Sequence, residues 1–370
     1  MKLGIMTFPN SNSYGAVLQM YALYRTVQKL GAQPEIINYH NSYMKEQRHT
    51  AAMQGKSKLK IKLRLCAKNI IHAKQKLRFA EFERQMRLYP NKPIGCKEKL
   101  DALKDHYDGV ICGSDQVWNP DITGGDSSYF LDFCGAHTKR IAYAPSFGIS
   151  EFSRQYRQQL KPLLQQFHAL SVREKNGKEL IEQLTGKDVP VVLDPTFFLE
   201  QQQWEQLEQT HRAASGDYIL YYKVRRSESL LKFCLEKAEE KNMKVVYVGG
   251  NALKQAKNRN PRLCYAYDLS PGQFLYLLHG ARYVVTNSFH GTAFSIHYKK
   301  EFFLELSSLT NSRLQQIVET TGLQNRVIGP ECTDSPIDYN EVYRRLEPER
   351  ARSVAYLKEA VANETDSDCK

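Results

Sequence analysis

The sequence lacks paired cysteines: Cys66, Cys96, Cys112, Cys134, Cys234, Cys264, Cys332 and Cys369 are scattered, and no CxxC occurs. That spacing supports neither a zinc site nor a disulfide framework, so the thiols are expected to be reduced and mostly in cores. No stretch approaches the roughly 20 uninterrupted apolar residues of a spanning helix. The opening "MKLGIMTF" is too short for a signal-peptide apolar region and lacks a small-residue cleavage site, so it reads as a strand of a cytosolic protein. Solenoid-type repeats and low-complexity segments are missing. So is any nucleic-acid module signature, and aromatic stacking residues are sparse in the basic stretch, so no nucleic-acid partner is expected.

Positive charge is plentiful, but in one place. Between Lys45 and Arg87 thirteen Lys or Arg stand against three acids, a net of +10 in a chain whose net charge is +12. Leu59, Leu63, Ile70, Leu77 and Met86 recur there at spacings that fit one apolar stripe of a long helix, although "KLKIKLRL" also alternates with the period of a strand. Length favours the helix. Such a helix can lie on an anionic membrane surface or hold a polyanionic substrate; a solvated helix docked on its own domain is the plainer alternative.

The rest alternates strand and helix. "KLGIMTF", "EIINY", "DGVICGSDQVW", "KRIAYAPSFG" and "ALSVRE" read as strands, with helices in "AVLQMYALYRTVQKLG", near Phe152 to Phe167, and after Arg173. This is the alternation of a mostly parallel, doubly wound α/β sheet. Gln201 to Gly216 loses the apolar run and reads as a connector. A second alternation follows from "DYILYYKV" to "EFFLEL", so two open α/β domains facing across a cleft are expected. The boundaries are residues 1–200, with a basic helical insertion at about 45–90; 217–330; C-terminal helices at 331–362; and a disordered tail at 363–370.

In open α/β sheets ligands bind beyond the carboxyl ends of the strands. Polar clusters fall at those ends: Asn10 to Gly15, Gly113 to Gln116, Ser146 to Gly148, Arg173 to Glu174, and Ser288 to Thr292. Each alone is ordinary turn chemistry; five, spread over both halves, point to a ligand edge. His290 follows the strand "RYVVT" and opens an apolar helix. At that helix N-terminus an imidazole can donate to an anion or pass a proton, and a capping or core histidine stays open as the alternative.

"YVVTNSFHGTAFSIHYKKEFF", "DGVICGSDQVWNP", "RIAYAPSFG", "SVREKNGKELI", "VVLDPTFFL" and "SYGAVLQMYAL" together resemble the polysaccharide pyruvyl transferase family, in order from about residue 4 to 330. The resemblance implies a fold similar to GT-B glycosyltransferases, two Rossmann-like domains with the active site between them. It implies a reaction in which phosphoenolpyruvate places a pyruvate ketal across two hydroxyls of a hexose, in a surface polysaccharide or its lipid-linked precursor, and phosphate leaves.

By that resemblance His290 is the acid or phosphate contact, and Arg173 holds the donor. Many members carry an arginine two residues before the histidine; here the position is Ser288, followed by Phe289. Arg313, in "TNSRLQQI", is the expected substitute, with a surface salt-bridge residue as the alternative. Ser288, Gly291 and Thr292 complete the expected donor loop. Asp115 is the candidate base or hydroxyl-binding group, with an N-cap as alternative. Trp118 is a candidate sugar platform or else a core residue. Ser114, Asn12 and Tyr14 are expected acceptor contacts, and Asp194 is expected to shape the turn before Pro195.

No cofactor and no structural metal is expected; an Mg²⁺ that assists phosphate is compatible with the pattern. The expected partners are phosphoenolpyruvate, a sugar or lipid-linked oligosaccharide acceptor, and an anionic membrane surface reached through the basic segment. Two rivals remain: a glycosyltransferase of the same fold that uses a nucleotide sugar, and a non-catalytic carbohydrate-binding or assembly protein.

Overall fold

Strand β1 (Lys2–Met6) lies between two parallel neighbours, β2 (Gln33–Tyr39) and β4 (Gly109–Asp115), which is why its apolar run is continuous rather than alternating. The computed structural model describes residues 1–44, 73–149, 152–306 and 312–362. Beyond β2 the sheet is completed by β3 (Leu88–Ile94), and beyond β4 by β5 (Lys139–Pro145) and β6 (Ala169–Leu170), giving the order β3-β2-β1-β4-β5-β6. A second sheet is formed by β7 (Tyr218–Tyr222), β8 (Lys244–Val248), β9 (Leu263–Ala266), β10 (Tyr283–Thr286) and β11 (Glu301–Leu304) in the order β11-β10-β7-β8-β9. Every strand pair in both sheets is parallel. The chain is therefore an α/β protein of two Rossmann-like halves, and each sheet reverses its winding once, between β1 and β4 and between β7 and β10. Ligands of such sheets lie at these switch points.

The longer helices are α1 (Tyr14–Lys29), α2 (Ala73–Glu83), α3 (Arg154–Gln165), α4 (Lys175–Thr185), α5 (Glu228–Glu240), α6 (Pro271–His279), α7 (Phe289–His297), α8 (Ser312–Thr321) and α9 (Tyr339–Val361). In α1, 13 of 16 residues are buried, because "YGAVLQMYALY" is apolar on all sides and needs cover on all sides. The N-terminal sheet covers one side. The second half covers the other, where the Tyr14 ring stacks on Phe274 of α6 (centroids 4.5 Å apart, interplanar angle 9°). One hydrophobic core thus runs from Leu3 and Ile5 through α1 to Val284 and Phe294.

Three expectations change. The basic segment was read as helix to about residue 90, but α2 stops at Glu83 and gives way to β3. The sequence of β3, "LYPNKPI", conceals a strand because Pro90 and Pro93 cannot donate to a ladder; an edge position tolerates them. Helix α2 buries Phe79 and Phe82, whereas Leu77 of the expected stripe is 70% exposed. Finally, the connector is packed rather than slack: Trp204 sits in the core, edge-on to Phe294 at 4.9 Å. The earlier part of the basic segment, residues 45–72, and the tail, 363–370, lie outside the described residues.

Helix α9 returns to the first half, where Tyr356 donates to the carbonyl of Ala142 (3.1 Å) and Lys139 to that of Ala362 (2.8 Å). No described helix is long and apolar enough to cross a membrane.

Candidate active site

Helix α7 starts where β10 ends because Ser288, in extended backbone, accepts the Gly291 N–H on its hydroxyl (3.2 Å) and the Thr292 N–H on its carbonyl (3.0 Å). This cap fixes His290 in the first turn, facing α1 of the other half. The ring fits because residue 15 is glycine: a Cβ there would lie inside the imidazole. The first turn of α1 is thus a seat for His290, and its Nε2 comes to 3.6 Å from Asp194 Oδ2, buried and without a hydrogen bond.

Asp194 is the centre of the arrangement. Its Oδ1 accepts the N–H and hydroxyl of Thr196 (3.0 and 2.8 Å), which starts the turn Pro195–Phe198 as expected. Its Oδ2 accepts from Arg173 Nη1 (2.5 Å) and Ser114 Oγ (3.2 Å). Burial pushes this carboxyl up, but the His290 ring, the Arg173 guanidinium and the Thr196 N–H outweigh it and hold the group well below the usual carboxylate range. The backbone beside it is gripped from two sides: Leu193 donates its N–H to Ser353 of α9 (2.9 Å) and accepts from the Tyr143 hydroxyl on β5 (2.7 Å). Sequence reasoning found the turn and missed the second oxygen. No local pattern signals it, since its partners Arg173 and Ser114 lie 21 and 80 residues away.

Arg173, with a side chain 2% exposed, also lies 3.5 Å from Asp115 Oδ1 and holds its plane over Phe289 (5.2 Å), while its Nε has no partner. Burial disfavours the cation; Asp194, Asp115 and Glu174 more than restore it. Arg313, near the start of α8, comes to the same place, its Nη1 3.8 Å from Asp115 Oδ1 and its side chain 15% exposed, so it is no surface ion-pair residue. Burial and the neighbouring Arg173 pull its pKa down to about 10. Two guanidinium groups forced together in a dry site favour an anionic ligand between them. They open onto a cleft of about 450 Å³, whose wall also carries Asp194, Phe289, Gln316 and Thr320.

Of the sequence candidates, the fold brings His290, Arg173, Arg313 and Asp115 together. Others it moves elsewhere. Trp118 is no sugar platform: it is fully buried, stacked on Phe130 (4.9 Å, 11°), with its indole N–H on the carbonyl of Tyr129 (2.9 Å). Ser114 is buried in the Asp194 network and cannot reach an acceptor. Tyr14 is spent on the interface between the halves, its hydroxyl accepting from Gln75 (3.1 Å). Gly291 and Thr292 are buried in the first turn of α7, where they shape the helix start rather than present side chains to the donor; the Thr292 hydroxyl donates to the carbonyl of Ser288 (3.1 Å). Ser288 is likewise a buried cap. Asn12 is exposed on the loop after β1. The Ser146 to Gly148 cluster is a loop pinned by Glu174, whose Oε1 accepts from the Ser146 hydroxyl (2.8 Å) and the Phe147 N–H (3.1 Å). Among the described residues no group of three His, Cys, Asp or Glu is gathered for a metal ion.

The family model for polysaccharide pyruvyl transferase matches residues 14–304. No curated protein sequence matches the chain. Among solved structures, UDP-GlcNAc 2-epimerase from Neisseria meningitidis bound to UDP-GlcNAc is similar over 98% of this chain and 95% of its own, with 12% identity and a TM-score of 0.50. S. aureus MnaA with UDP is similar over 97% and 91%, with 12% identity and a TM-score of 0.50. The E. coli heptosyltransferase WaaC with ADP covers 94% and 100%, with 11% identity and a TM-score of 0.43. At such identities the likeness to the first two is one of fold, a pairing of two parallel sheets.

Proposed function

Because the chain belongs to the polysaccharide pyruvyl transferase family, we propose that it moves the pyruvyl group of phosphoenolpyruvate onto two hydroxyls of a hexose, in a surface polysaccharide or its lipid-linked precursor. The observation that carries this reading is the meeting of Arg173 and Arg313 beside His290 and the buried Asp194. Phosphoenolpyruvate presents a carboxylate and a phosphate, and charge-assisted, forked hydrogen bonds from two guanidinium groups suit that pair. Arg313 supplies the charge that Ser288 cannot.

His290 is the proton donor in this scheme, with Asp194 as counter-charge to the imidazolium. Its proton goes to the methylene carbon of the donor, which becomes methyl and leaves an oxocarbenium centre at C2. One sugar hydroxyl adds to C2 and loses its proton to the imidazole. The C–O bond to phosphate then breaks, and the second hydroxyl closes the ketal, its proton leaving with the phosphate. Asp115, fixed by Arg173, Arg313 and the Gln116 N–H (2.8 Å), keeps both cations aimed at the donor.

The test is phosphate release from phosphoenolpyruvate with a hexose acceptor. His290→Ala lowers it about 100- to 10,000-fold, the usual worth of a positioned acid, with little change in unfolding temperature. A wild-type rate in that variant rejects the role. Stabilisation by a nucleotide sugar but not by phosphoenolpyruvate would replace the reading with glycosyl transfer. The basic segment between Lys45 and Arg87 is proposed to bring the enzyme to an anionic membrane at about 1 kcal/mol per well-placed cation. Absence of co-sedimentation with anionic vesicles at low salt removes that part.

A further inference from the structure

Tyr14, Ser114 and Trp118, expected from the sequence as acceptor contacts, are spent inside the folded chain. Helix α8 offers groups in their place. Arg313, Gln316, Ile317 and Thr320 are spaced i, i+3, i+4 and i+7, so they share one face of the helix. All four line the cleft of about 450 Å³ whose wall also carries Arg173 and Asp194. At a rise of about 1.5 Å per residue, Gln316 lies about 4.5 Å and Thr320 about 10.5 Å beyond Arg313 along the axis. A cation and two neutral polar groups thus follow one another along a single wall.

The two neutral groups are unspent. On the outer side of α8 the Gln315 amide donates to Glu319 (3.0 Å), which also pairs with Lys175 (3.3 Å). On the inner side the Thr321 hydroxyl donates to the carbonyl of Ile317 (2.6 Å). The half-buried side chains of Gln316 and Thr320, which line the cleft, bond to no described residue. An amide and a hydroxyl can each donate and accept. A carboxylate or phosphate only accepts and would leave part of that capacity unused, whereas a sugar hydroxyl does both. Glu349 of α9 lines the same cleft, its carboxylate paired with Arg352. An acceptor-only group at that position suits a hydroxyl donor and not a second anion.

We propose that this face of α8 is the acceptor subsite: Gln316 and Thr320 hydrogen-bond hydroxyls of the hexose, while Arg313 on the same face holds the donor. The proposal rests on the transfer to a sugar stated under the proposed function, and it names the residues that select that sugar. A single helix then sets how far the acceptor stands from the donor. A few placed polar groups on an otherwise apolar wall are the usual way in which a small-molecule site fixes orientation.

The test titrates the full chain with methyl α- and β-glycosides of glucose, galactose and mannose, observed by saturation-transfer NMR. At least one glycoside receives saturation from the wild type, and its affinity falls about fivefold or more in Gln316→Ala and in Thr320→Val, each of which removes one hydrogen-bonding group. Thr320→Ser keeps the hydroxyl and binds like wild type. Gln315→Ala, beside Gln316 but exposed on the outer side of the helix, also binds like wild type, so a general disturbance of α8 is separated from the loss of a contact. Thermal stabilisation by phosphoenolpyruvate, measured on the same preparations, is unchanged in all four variants. No glycoside binding by the folded wild type, undiminished binding in both Gln316→Ala and Thr320→Val, or an equal loss in Gln315→Ala overturns the subsite. Lack of stabilisation by phosphoenolpyruvate in the wild type counts against the donor chemistry instead, and leaves the glycoside result to decide this proposal.

Discussion

Around Asp194 the fold gathers two guanidinium groups, an imidazole and two carboxylates; around Asn10, a few residues along the chain from the seat of His290, it gathers amides and aromatic rings. Both places lie beyond strand ends of the N-terminal sheet, and the first is completed by His290 and Arg313 from the second half. The difference shows how one doubly wound fold can hold unlike chemistry along one edge: each strand end is followed by an independent loop, so an ionic cluster and a set of uncharged side chains can lie side by side. The ionic site draws on segments far apart in the chain, whereas the uncharged set comes largely from β1, β2 and the loops after them.

The contrast breaks most severely if the ionic half loses one charge. Arg173→Ala leaves the Asp194 carboxylate buried without its cation and is expected to cost about 3–5 kcal/mol in urea unfolding, together with all stabilisation by phosphoenolpyruvate. A loss under about 1 kcal/mol would mean that the pair is not what holds the site. Next, Gly15→Ala pushes a methyl group into the His290 ring. Since a displacement of about 1 Å at a reacting group can cost on the order of 100-fold, kcat falls by about that factor while KM for phosphoenolpyruvate stays near wild type. An unchanged kcat would detach His290 from the chemistry.

Behind Asn10 the expected effect is on pH. Glu83 is buried with the Asn10 N–H as its donor, and burial pushes its pKa up to about 7. A raised pKa means that the folded state holds the proton more tightly, so the contribution is complete below the ordinary 4.5 and is lost as pH rises through about 7. The loss from this one group is on the order of 3 kcal/mol. Glu83→Gln should remove that slope and be more stable than wild type at pH 8; equal slopes in the two proteins would show that the carboxyl is not desolvated. The smallest effect is at the far support of the ionic site. Ser353→Ala removes the acceptor of the Leu193 N–H, costing about 1 kcal/mol and lowering kcat a few-fold, with Ser353→Thr restoring both.

Much of this was legible in the sequence, for reasons that can be stated residue by residue. The strands β1, β2, β4, β5, β7, β8, β10 and β11 are apolar runs ended by turn residues, and parallel sheets demand such runs. Helix α1 was legible from its apolar stretch, whereas its Ser13 cap emerges only in the structure. His290 and Arg173 stand just past strand ends, where side chains reach a cleft, and their roles, like that of Arg313, come from the family resemblance. Strand β3 was hidden by its prolines. The burial of Trp118, Tyr14 and Ser114 was hidden because an aromatic or hydroxyl residue near a strand end reads the same whether it faces a cleft or a core. The second role of Asp194 depends on α7, β4 and the start of α4 converging on one oxygen, and convergence of that kind has no local signature.

Helix α9 has a consequence for synthesis. Domains fold largely from the N-terminus as the chain is made, yet Leu193, the neighbour of Asp194, takes its acceptor from Ser353, 160 residues later. The first sheet can therefore assemble early on the ribosome while its ionic site still lacks a support. Only when the last helix has emerged and docked is the backbone beside the carboxylate gripped, so a nascent or C-terminally clipped chain would carry a folded first half with a less firmly held ionic site.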